Sequence, residues 1–101
     1  MLIKKPNAPG DILAFKLING DEVVAKLVET TTDGFVVSKP CTVLPSPKGM
    51  GLVQSLFTAS QDLEVRLQNQ HVIMHGPVVQ EIRDYYIKTT TGIETVSSLV
   101  V

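Results

Sequence analysis

The chain has 101 residues, a net charge of −1 and 44% apolar residues. That is the size of one domain, with enough apolar side chains for a core, which excludes a disordered chain. Its nine Lys and Arg are scattered, with no cluster beyond Lys4-Lys5. This excludes a broad basic face for duplex nucleic acid, though not a small site completed by oligomerisation. No apolar run is long enough to span a bilayer. One cysteine, Cys41, excludes an internal disulfide framework and reads as a small buried hydrophobe. After Lys4-Lys5 comes Pro6-Asn7-Ala8-Pro9-Gly10 rather than an apolar secretory segment, so a cytoplasmic protein is expected.

Residues 1–11 read as an arm, since two prolines and a glycine forbid a helix through it; residues 12–101 read as a single domain. From Ile12 to Val28 the chain reads strand, turn, strand. Ile12 and Ala14 alternate with Leu13, Phe15 and Leu17 as far as Asn19-Gly20, a strong hairpin signal. Val23, Val24, Ala25, Leu27 and Val28 carry the return strand. Asp33-Gly34 signals a second turn, and Phe35-Val36-Val37 a third strand to about Lys39. Pro40 requires an edge or a bulge, past which Thr42-Val43-Leu44 can continue the strand. Pro45 to Gly51 is dense in breakers and reads as a loop. Leu52 to Phe57 reads as a returning strand or an apolar flap.

From Asp62 the period is strictly two. Leu63, Val65 and Leu67 alternate with Glu64, Arg66 and Gln68. Gln68-Asn69-Gln70 is a polar turn, and His71 to His75 a further strand. After Pro77 the period becomes helical: Val78, Ile82, Tyr85 and Tyr86 share a face, and Pro77 is placed at the first helical position. Thr89-Thr90-Thr91-Gly92 stops the helix, and the apolar tail 93–101 must be covered, as an added edge strand or between subunits.

Little here supports an enzyme. Two histidines, one cysteine and no close acidic pair offer neither a nucleophile with its base nor an acid–base couple. His71 and His75 stand about 13 Å apart if both lie on one strand, too far to share a metal. No catalytic residue, metal ligand or cofactor is therefore expected.

The order of elements resembles the five-stranded, strongly bent antiparallel barrel of the Sm, LSm and Hfq proteins, with a long excursion between strands three and four and a short C-terminal helix. The first motif is carried by Phe15-Lys16-Leu17-Ile18-Asn19-Gly20, with Val23 and Ala25-Lys26-Leu27. Leu67-Gln68-Asn69-Gln70-His71-Val72-Ile73 is similar to the second. The chain is closer still to the Sm-like proteins of marine and cyanobacterial tailed phages, in its Leu17-Ile18-Asn19-Gly20-Asp21-Glu22 opening, Ser38-Lys39-Pro40 and Gly49-Met50-Gly51-Leu52. It departs in lacking an N-terminal helix and in having Ala25 where the family has Gly. It has Thr32 or its neighbours where a stacking aromatic would sit, and no Lys or Arg in the 68–71 turn.

The resemblance implies a mainly β fold and a ring of roughly five to seven subunits, closed by pairing the fourth strand of one with the fifth of the next. Val65, Leu67, Val72 and Ile73 would then form the subunit interface. It also implies single-stranded RNA or DNA binding by pore-facing loops, through Thr32, Asp33, Asn69, Gln70 and His71. Paired donors and acceptors on Asn69 and Gln70 suit base edges. A phage origin would place the protein in the cytoplasm of an infected bacterium. The competing expectation is an assembly or adaptor ring that binds protein, which the weak charge favours.

Overall fold

The computed structural model describes residues 7–56, 58–60 and 62–91. The readings of the first six residues and of the tail 93–101 lie outside these. Six strands form one antiparallel sheet: β1 (Ile12–Leu17), β2 (Glu22–Thr30), β3 (Gly34–Ser46), β4 (Gly49–Gln54), β5 (Glu64–Gln68) and β6 (Val72–Pro77). A 3-10 turn, Asn69–His71, joins β5 to β6, and one helix, α1 (Gln80–Thr90), follows. The expected count of five strands is corrected to six. The excursion after the third strand contains β4, which pairs in unbroken register with the distal half of β3, from Cys41 opposite Gln54 to Ser46 opposite Gly49. Of the two readings for Leu52 to Phe57, the returning strand is the one formed, as far as Gln54; the loop expected over Pro45 to Gly51 shrinks to Pro47-Lys48, because β3 runs through Pro45 to Ser46 and β4 starts at Gly49.

The strand order is β4-β3-β2-β1-β6, with β5 pairing the proximal half of β3. Thus β5 and β6 lie on opposite sides of the path β6-β1-β2-β3-β5, yet three residues connect them. Only a strongly bent sheet allows this. Three register shifts supply local bends: at Lys39-Pro40 on β3, at Val28 on β2 and at Ile73 on β6. Lys39 is the only described non-glycine residue with positive φ, at 51°. Pro40, with no N–H to lose, sits in this bulge, and Ala25 is the residue opposite it. Although bent, the sheet is not closed: β5 and β6 do not pair with each other.

Alternation divides the core in two. Leu13, Phe15, Val23, Ala25, Leu27, Phe35 and Val37 fill the concave side, with Leu17, Val65, Leu67 and Val72 packed at its margin. Ile12, Val24, Cys41 and Leu52 lie on the other face, where Tyr86 of α1 is buried against them. The helix starts later than expected. Pro77 ends β6, and Val79 is an N-cap without a side-chain bond. The backbone of Pro77 is held opposite Leu13 of β1, and that pairing keeps it in the strand. Tyr85 is partly exposed at 39%, while Tyr86 and Thr90 are buried. The helix therefore contacts the sheet through Ile82, Tyr86 and Ile87, at i, i+4 and i+5, with Val78 ahead of it, while the buried Thr90 hydroxyl donates to the Tyr86 carbonyl of its own helix.

The start of the domain is also tied down. Asp11 caps no helix; its carboxylate accepts from the amide of Ala8 at 2.9 Å. The amide of Gly10 donates to Leu27 and that of Leu27 to the Asp11 carbonyl, both at 2.8 Å, so this part of the arm lies against β2.

Candidate nucleic-acid interface

Three turns meet at one end of the sheet. The β1–β2 turn is held by Gly20 N–H to the Leu17 carbonyl at 2.9 Å, and Asn19 Oδ1 accepts from the Asp21 amide at 3.0 Å. Only Gly20 of the Asn-Gly pair takes positive φ, +97°, so the pair forms the end of a three-residue turn rather than a two-residue one. In the β2–β3 turn, Thr31 and Gly34 bond to each other through their backbones, with Thr32 and Asp33 at the tip. The 3-10 turn links the other two: the Asn69 amide donates to the Asp33 carbonyl at 2.8 Å, and the Ile18 amide to the His71 carbonyl at 3.0 Å.

Gly34 is required here for space. A Cβ at this position would collide with the Leu67 carbonyl oxygen and come within 3.0 Å of Gln68 Cα and the Asn69 amide nitrogen. The absent side chain lets the end of β5 lie directly on the start of β3, and so brings the two polar turns together.

Between those turns is an open recess of about 390 Å³ lined by Thr32, Asp33, Gln68, Asn69 and Gln70. All five are exposed. Asn69 Nδ2 donates to the Thr32 carbonyl at 3.4 Å, and Gln70 Nε2 to Gln68 Oε1 at 2.9 Å. These bonds orient the amides and leave Asn69 Oδ1, Gln70 Oε1 and Gln68 Nε2 as acceptors and a donor for a ligand. Asp33 adds a negative charge to the same rim.

Four of the five expected site residues, Thr32, Asp33, Asn69 and Gln70, are thus neighbours. His71 is not among them; it faces an adjoining recess lined also by Leu17, Ile18, Asn19, Arg66, Leu67 and Gln68. Gln68 is common to both. Arg66, which has no hydrogen-bond or ion-pair partner among the described residues, supplies a cation that the 68–71 turn lacks. The residues missed by sequence reasoning are Arg66 and Asn19. The signal for Arg66 was present, because it shares the outward face of β5 with Gln68 by the period-two rule.

The four residues expected at a subunit interface separate by face. Val65, Leu67 and Val72 are half-buried at the margin of the concave core, while Ile73, on the bulge of β6, is 56% exposed. His75 packs edge-on to Phe35, with centroids 4.8 Å apart, and lies 6.0 Å from Phe15. Among the described residues, no three His, Cys, Asp or Glu side chains group as a metal site, and no helix is long and apolar enough to cross a membrane.

Over the described residues this is a mainly β antiparallel protein with one helix after the last strand and a polar surface where three turns converge. No protein-family model matches it, and no curated protein does.

Proposed function

We propose that this is a ring-forming Sm-like protein that binds single-stranded RNA or DNA at the recess between the β2–β3 turn and the 3-10 turn. The observation that carries the reading is the recess itself: two turns separated by more than thirty residues in sequence are bonded to each other and present Thr32, Asn69 and Gln70 on one open surface. Exposed amides with free donors and acceptors read base edges, and an open recess admits unstacked bases where a duplex would be excluded. The path β6-β1-β2-β3-β5, with its ends joined by a three-residue turn, supports the Sm-like barrel. Its two free edges, on β5 and β6, fit a head-to-tail contact that closes into a ring. Repetition around a ring would place several recesses and several Arg66 side chains together, which compensates for a weakly charged subunit.

The test is fluorescence anisotropy with short single-stranded RNA and DNA at two salt concentrations, on protein of known native mass. Binding at micromolar concentration or tighter, weakened by salt and abolished in Asn69→Ala/His71→Ala while the native mass is retained, is the expected outcome. An intact ring that binds neither strand at low salt would overturn the nucleic-acid reading. A protein-binding assembly ring would then be the better account, since Ile73 and Met74 leave 56% and 64% of their surface exposed on β6.

A further inference from the structure

The third free edge of the sheet, on β4, is the least guarded. Edge strands are normally blunted by charge, proline or a bulge, because their unpaired amides and carbonyls template further pairing. β5 carries Glu64 and Arg66, and β6 carries a bulge and ends in Gly76-Pro77. β4, with the sequence Gly-Met-Gly-Leu-Val-Gln, has no charge and no proline, and its register with β3 is unbroken. No described element pairs with its outer side. Leu52 is nonetheless buried and Met50 half-buried, so the strand is firmly attached to the core.

The path of α1 leads to this edge. The chain leaves β6, at one end of the strand order, and Val78 packs at once into the core beneath the helix. By Tyr86 it has reached β3, because the phenol donates to the Lys39 carbonyl at 2.8 Å and approaches that of Ser38 at 3.3 Å. From β6 to β3 is three strand spacings, about 14 Å. Two extended residues and the six helical steps from Gln80 to Tyr86 together reach at most about 15 Å, so this segment crosses the strands nearly at right angles. The four helical steps from Tyr86 to Thr90 add about 6 Å, more than the single spacing that separates β3 from β4. Thr90 is buried and the Thr91 amide is bonded to the Ile87 carbonyl at 3.0 Å, so the helix is ordered to its end. Chain direction follows as well. Tyr86 lies over Cys41, which pairs with Gln54, so the chain arrives at the Gln54 end of β4.

We propose that the free edge of β4 is the docking site for residues 92–101 of the same chain, added as an antiparallel strand running from the Gln54 end toward Gly49. Those residues lie outside the described part of the structure. Their sequence, with Ile93, Thr95, Val96, Leu99, Val100 and Val101 and a single charge at Glu94, is that of a strand. Ten extended residues reach about 33 Å, well beyond the roughly 20 Å of β4. One docking event would satisfy the unguarded edge and cover the apolar segment. The inference is independent of nucleic-acid binding.

Hydrogen–deuterium exchange on the full chain tests it. Val96→Pro/Ser97→Pro removes two successive amides, one of which must face β4 in any register. The expected result is slow exchange of the outward β4 amides in the parent, accelerated about tenfold or more in the double variant, with β2 unchanged. Equal β4 exchange in the two proteins would overturn the proposal. A cross-link identifies whose segment docks. Gly51→Cys is tolerated, because a Cβ there meets nothing within 4 Å. Paired in turn with Thr95→Cys, Val96→Cys or Ser97→Cys in a Cys41→Ala background, it should oxidise to a cross-linked monomer in one register. Cross-linked dimers, or no cross-link in any of the three, would overturn it.

Discussion

Gly34 and Tyr86 are two residues through which this sequence determines its shape. Any side chain at Gly34 meets backbone, which cannot move aside as a flexible side chain can. Gly34→Ala should therefore destabilise by about 2 kcal/mol, in the range of overpacked cores. It should also separate the β2–β3 turn from the 3-10 turn. Urea denaturation reads the first effect, and weakened single-strand binding at equal foldedness the second. Tyr86 acts on the bulge. Its buried hydroxyl bonds to the carbonyls of Lys39 and Ser38, where the left-handed Lys39 interrupts the ladder. Tyr86→Phe leaves these part-buried acceptors without that donor, at a cost of about 1 kcal/mol. Burial, reinforced by the nearby Cys41, pushes the phenol well above its ordinary range. A folded-state pKa above the unfolded one, about 10, means that stability is complete below pH 10 and is lost as pH rises beyond it. The parent should therefore lose stability in alkali more steeply than Tyr86→Phe, which equilibrium unfolding at pH 9 and pH 11 would measure.

At the scale of elements, what could be read from the sequence was what local chemistry decides. Alternation at Ile12 to Phe15 and at Glu64 to Gln68 assigned faces correctly, and Pro40 marked a bulge that exists. The turn glycines were found for partly different reasons. Asn19-Gly20 needs one positive φ, not two, and Gly34 serves close approach rather than the turn. The helix start was misplaced because Pro77 satisfies the rule for a first helical residue equally well as a strand end, and only its pairing with Leu13 distinguishes the two. β4 was left between strand and flap because the ladder with β3 that makes it a strand is not encoded in its own period. The recess followed the same division. Its polar residues were legible as turns, whereas the neighbouring Arg66 was overlooked because it belongs to the strand before the turn.

At the scale of the whole molecule, the open sheet makes the ring reading specific enough to fail. The two edges proposed to pair between subunits bear residues of different standing. Val65 is half-buried against the concave core of its own subunit, so a charge there is partly desolvated with no partner. Val65→Glu should lower monomer stability by about 1–3 kcal/mol, and loss of assembly in that variant would say nothing about an interface. Ile73 is 56% exposed on the β6 bulge and contributes nothing to either core cluster. Ile73→Glu should therefore leave the subunit folded, with far-ultraviolet circular dichroism and unfolding midpoint close to the parent's. If β6 meets β5 of the next subunit, it also places a charge beside an apolar margin, and each closed ring of n subunits contains n such contacts. Even about 1 kcal/mol at each contact multiplies around the ring, so assembly should collapse to monomers in native mass measurements while the fold survives. A folded Ile73→Glu variant that keeps the parent's native mass would show that β6 is not at the interface. The exposed apolar side chains of that strand would then belong to a surface for some other partner.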